Sequence, residues 1–101
     1  MKKYSLIGVD GNAFAIMAYV AEAFRESGRA LGRQDCIIKA NIDNYFTLAQ
    51  SDDYNNLLSV SIDVLNDINE ALEKAGLINL KKISKADADA LLATMGLKVG
   101  R

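Results

Sequence analysis

Asp10-Gly11-Asn12 is the stretch where side-chain types and spacing come closest to chemistry: a carboxylate, a glycine and an amide between an apolar run and an Ala-rich one. A carboxylate at the end of a strand can bind a divalent cation, the free amides opening a helix can cradle a phosphate, and Asp or Asn can cap the helix that follows. Metal-assisted phosphoryl chemistry needs several more carboxylates converging on the same point. Four of the remaining acids run along one later helix, and Asp87 and Asp89, at i, i+2, do not share a helix face. A phosphate cradle would use Gly8, Gly11 and the helix-start amides, with Arg25, Arg29 and Lys39 as helpers if a symmetric copy brought them near. No Walker lysine follows, the spacing is not that of a dinucleotide fingerprint, and Asp10 would repel the ligand. A helix cap, with Gly11 permitting the change of direction, explains all three residues and is the favoured reading.

Composition narrows the chemistry further. There is no histidine, so the Ser-His and Cys-His nucleophile pairs and the ordinary base of neutral pH are missing. Cys36 is the single cysteine; it can form no intrachain disulfide or structural zinc site, and reads as a small buried hydrophobe. The 101 residues, half of them apolar, suit one domain. No cofactor is implied. The longest uncharged apolar run, Ala13 to Ala21, is far shorter than the roughly 20 residues that span a bilayer, and the run after Lys2-Lys3 is cut too early by Asp10 for a signal peptide. A cytoplasmic protein without membrane attachment is expected. A net charge of −1 argues against general nucleic-acid binding.

The elements that must position these residues are mostly helical. Tyr4 to Val9 has the content of a short strand. Helix one follows Asn12 and runs to Gly28; its first half, AFAIMAYVA, is apolar on every side and must be covered all round, by the rest of the chain or by a second copy. Helix two spans residues 33–50, with Ile38, Ile42, Tyr45, Phe46 and Ala49 on one face. After the cap signal Ser51-Asp52-Asp53, helix three carries the stripe Tyr54, Leu57, Leu58, Ile62, Leu65, Ile68, Leu72 and ends at Gly76. Asp63, Asp67, Glu70 and Glu73 occupy its outer face, and Lys74 is the only base between residues 41 and 76. A short strand over 77–83 and a helix from Ser84 to Gly96 complete a mainly α fold of three main helices, a short C-terminal helix and one or two edge β-strands. Residues 1–76 read as the helical core and 77–101 as an extension.

Two resemblances bear on function. LIGVDGNAFAIMAY is similar to the first strand of PIN-type and flap-type nucleases, in which an Asp-Gly dipeptide helps bind catalytic magnesium; this implies Asp10 as a ligand, but no buried strands of a doubly wound sheet follow Val9. More broadly, Asp10 to Phe14 (DGNAF) and Asp53 to Leu58 (DYNNLL) resemble a group of short bacteriophage and prophage proteins, over residues 5 to 72. Ala18 and Asp52 stand where that pattern usually has glycine. The resemblance implies a phage-type, non-catalytic protein that binds a host component, such as a defence system that it inhibits. Candidate contact residues are Asp10, Gly11, Asn12, Arg25, Arg29, Asp53, Tyr54 and Asn55, and the acidic face Asp63, Asp67, Glu70, Glu73 is the candidate surface for a host protein. The alternative is an oligomeric sponge for a small phosphorylated ligand. A homo-oligomer joined through helix one is expected in either case.

Overall fold

The computed structural model describes residues 1–78; the helix expected after Ser84, and the strand expected over 77–83 beyond its first two residues, lie outside the described residues. Three helices stand where the apolar periodicity places them: α1 (Ala13–Ala30), α2 (Asp35–Ala49) and α3 (Tyr54–Lys74). Each touches the other two. No helix among the described residues is long and apolar enough to cross a membrane.

Side-chain caps fix the helix starts. Asn12 accepts the Phe14 amide at 2.8 Å to open α1, and Asp53 accepts the Asn56 amide at 2.9 Å to open α3. The Asn56 side-chain amide also donates to the Leu48 carbonyl at 2.9 Å, satisfying one of the orphan acceptors that end α2. The expected stop of α1 at Gly28 is wrong by half a turn. The helix continues to Ala30, and Gly32, at φ +75°, is the left-handed residue that ends it. Its amide bonds Arg29 O and the Arg33 amide bonds Gly28 O, the paired bonds of a Schellman motif. Gly28 instead leaves room for Ile38 of α2, where a β-carbon would lie 2.5 Å from Ile38 Cγ1.

The core joins Val20 and Ala23 of α1, Tyr45 and Ala49 of α2, and Leu57, Leu65, Ile68 and Leu72 of α3. Ala21, Ile38 and Ile42 form a smaller cluster between α1 and α2. Two members of the expected α3 stripe are exposed, Tyr54 at 44% and Ile62 at 49%, and Leu58 is half-buried. Two polar residues of α3 outside the stripe are buried, and each has a partner. Ser61 shares a 2.6 Å hydrogen bond with Tyr45, whose ring packs against Phe24 and Phe46. Asn69 holds the amino-terminal segment.

That segment is not the strand its composition suggests; no strand occurs among the described residues. Leu6 to Val9 is a turn closed by the Val9 amide on Leu6 O, with Gly8 at φ +84°. Before the turn, the Asn69 amide does the work of a neighbouring strand: Oδ1 accepts the Tyr4 amide and Nδ2 donates to the Tyr4 carbonyl, both at 2.8 Å. The Ser5 amide donates to Tyr19 Oη at 3.0 Å, so the segment straps α1 to α3.

Of the two covers expected for the first half of α1, the described residues of its own chain do not suffice, because Phe14 is 78% exposed and Ala18 is exposed beside it. A further expectation changes. Cys36 is exposed in the first turn of α2, not buried.

Gly28→Ala is expected to cost about 1–3 kcal/mol through overpacking against Ile38, and Ile38→Ala about 2–5 kcal/mol. Urea denaturation of the double variant should fall short of the sum by about 1 kcal/mol or more, as residues in contact do; strict additivity would rule the contact out. Tyr45 supplies a second check. Burial raises its phenol pKa above the usual 10.0, against a smaller opposing effect of the Ser61 hydrogen bond. The folded state therefore holds this proton more tightly than the unfolded one. The resulting stability is complete below pH 10 and is lost as pH rises beyond it. Urea midpoints between pH 8 and 11 should fall, and Tyr45→Phe should remove part of that fall; an identical slope in the variant would count against this assignment.

Candidate functional site

Forty-three positions apart in sequence, the two motif segments meet at one end of the helical core. Tyr54 Oη donates to the Gly11 carbonyl. Asp10 Oδ1 accepts the Asn12 amide at 2.9 Å and Asn12 Oδ1 accepts the Phe14 amide, so two of the four amides that open α1 are already bonded by side chains. Gly11 does not need glycine's conformational freedom, since its φ is not in the left-handed region. A β-carbon there would make an ordinary contact, 3.6 Å from Tyr54 Oη. The expectation that Gly11 is needed for the change of direction is therefore corrected: its role here is to present a carbonyl to Tyr54.

Beside this junction lies a hollow of about 310 Å³ floored by Ala13, Met17, Ala49 and Leu57 and edged by Asp52, Asp53 and Tyr54. Phe14 projects from the same end into solvent, and Asn55 is exposed in the first turn of α3. No group of three or more His, Cys, Asp or Glu among the described residues is arranged to hold a metal ion. The nuclease reading of Asp10 thus has no supporting carboxylates among the described residues, and Asp10 itself is engaged in the turn.

Arg25 and Arg29 lie elsewhere. At a rise of 1.5 Å per residue they sit about 20–25 Å along α1 from Asn12. One chain therefore does not bring the helix-start amides and the arginines into one phosphate site. The arginines line a second hollow, of about 380 Å³, together with Lys39, Asp35 and Asp43 over a floor of Ile38, Ile42 and Phe46. Within or beside it, Lys39 pairs with Asp43 at 2.7 Å and Arg25 with Glu22 at 3.2 Å.

On α3, Asp63, Asp67 and Glu70 are exposed along one face, and Glu73 is half-buried beside it. None of the first three has a cation within ion-pair distance among the described residues. Asp67 borders a small hollow with Arg33 and Asn41, and Glu70 borders another with Lys3 and Asn66. Tyr4 closes the far end of the strap. Its hydroxyl donates to Glu26 at 2.8 Å, and burial, reinforced by that carboxylate, pushes its pKa upward.

Sequence spacing identified the two motifs and the acidic face. It missed Met17, Ala49 and Asp52 at the junction, and Asp35 and Asp43 beside the arginines, because each becomes a neighbour only when helices pack. No known protein family, curated protein or solved structure matches this chain.

Tyr54→Phe keeps the ring and removes only the bond to Gly11, with an expected cost of about 0.5–1.5 kcal/mol. Amide exchange of Ala13 to Ile16 should accelerate several-fold, as those amides lose the anchor of their preceding turn. Unchanged protection there would show that the Tyr54 bond does not hold the junction.

Proposed function

We propose that this chain is a non-catalytic, phage-type binding protein that docks on a basic surface of a host protein, with inhibition of a host defence system as the expected consequence. The observation that carries the proposal is the α3 face, where Asp63, Asp67 and Glu70 lie within about 60° of arc at 100° per residue with no cation within ion-pair distance among the described residues. Like charge clustered on a helix face gives long-range steering and selects a partner of opposite sign. The caps and the apolar side of α3 keep that face rigid. Asp52, Asp53 and the exposed Tyr54 add acidic and aromatic groups at the motif junction that starts the same helix, where Phe14 adds an apolar contact. Protein interfaces draw on such aromatic anchors within a polar rim.

Self-association through α1 belongs to the same proposal, because the exposed Phe14 and Ala18 would be covered by a second copy. The sponge alternative would require such an assembly to unite the start of α1 with the arginines of another chain.

Affinity capture from bacterial lysate, comparing the wild type with an Asp63→Asn, Asp67→Asn, Glu70→Asn variant of unchanged helicity, tests the docking face. The wild type should retain a discrete partner at 50 mM salt and lose most of it by about 500 mM, as exposed charges are screened. The neutral variant should fail to retain it at either concentration. Equal retention by both proteins would exclude the α3 face.

A further inference from the structure

We propose that the hollow between the second half of α1 and α2 binds a small amphipathic monoanion, a carboxylate or similar acid group on an apolar body. This goes beyond the docking reading and is independent of it: the surface is different and the governing charge has the opposite sign.

The floor consists of Ile38 and Ile42, both buried, and Phe46, half-buried. Gly28 allows Ile38 to seat against the backbone of α1, which draws this floor under the arginines. The hollow, about 380 Å³, falls within the range of small-molecule sites, and an apolar lining with a few convergent polar groups is their usual make-up.

The charges around it select the ligand. Lys39 is paired with Asp43, and Arg25 with Glu22. Asp35 stands in the first turn of α2, where the helix amides stabilise a negative charge. Arg29, in the last turn of α1, has no ion-pair partner among the described residues. One uncompensated guanidinium at the edge of an apolar floor matches one negative charge attached to a hydrocarbon or aromatic body. Its planar fork accepts a carboxylate through two parallel bonds. A dianion such as inorganic phosphate would face Asp35 and Asp43 with no apolar group to offset their repulsion.

The probes are hexanoate, octanoate, octanol and inorganic phosphate, titrated into the full-length protein and followed by amide chemical shifts. Octanoate is expected to move the signals of Ile38, Ile42 and Phe46 and to bind roughly fifteenfold more tightly than hexanoate, each of its two further buried methylenes contributing roughly fourfold. Arg29→Gln should weaken octanoate about tenfold while leaving octanol unchanged, and Arg29→Lys should restore part of the loss. Octanol binding as tightly as octanoate, phosphate binding at the same residues as tightly as octanoate, an Arg29→Gln variant of unchanged affinity, or octanoate shifts confined to other surfaces would each overturn the proposal.

Discussion

The fold depends on how an amino-terminal segment without a strand partner satisfies its backbone. Leaving a buried amide or carbonyl unpaired costs on the order of 1–3 kcal/mol, and Tyr4 presents one of each. Asn69, 5% exposed on α3, meets both through its side-chain amide. Neither partner is optional. Without Tyr4, Asn69 would be a buried amide in an apolar surface; without Asn69, the strap would gain more by turning its backbone to water. Tyr19 adds a third point of attachment from α1. The strap then leads to the turn at Gly8 and delivers Asp10 to Asn12 to the start of α1, within reach of Tyr54.

From that placement follows a division of the molecule by charge. The starts of α1 and α3 and the end of α2 share one end of the core, since Gly11, Tyr54 and Ala49 are neighbours there. Asp10, Asp52 and Asp53 make that end acidic. The other end of α1 and the start of α2 gather Arg25, Arg29 and Lys39 over an apolar floor. A single 18-residue helix therefore links an acidic end to one where bases and acids are mixed over an apolar floor. Along the sequence, acids gather between residues 41 and 76, where Lys74 is the only base, but only packing turns that pattern into a surface.

What was legible in the sequence is what depends on local periodicity. The three helices, the Asp53 cap and the outward acids of α3 each follow from residues within a few turns of one another. Tertiary partners decided the rest. Ser61 and Asn69 interrupt the apolar stripe of α3, and nothing near them in sequence shows that Tyr45 and Tyr4 will satisfy them. Gly28 carries the usual signal of a helix end, yet the Schellman bonds form at the left-handed Gly32, and Gly28 instead leaves room for Ile38. Tyr4 to Val9 has strand composition without a neighbouring strand among the described residues, so the Asn69 amide replaces a ladder. Tyr54 sits within a capping motif, but its role is to join that motif to the other one.

The apolar first half of α1 shows most clearly how sequence and packing divide the work. Its all-round hydrophobicity has two components that only the structure separates. Ile16, Val20 and Ala21 are buried against the other helices, and Tyr19 meets the strap, so most of the circumference is accounted for within one chain. Phe14 and Ala18 remain outside. An exposed large ring beside a small residue is a modest patch for a monomeric surface, on which isolated apolar groups are ordinary. Its position gives it weight: Phe14 occupies the first turn of α1, held by the Asn12 cap and adjacent to the Gly11–Tyr54 junction. Little backbone entropy would then be lost in ordering that turn against another surface, and preorganisation of this kind favours association more than area alone does. The same cap that starts the helix thus fixes the backbone that carries the aromatic group most available for contact.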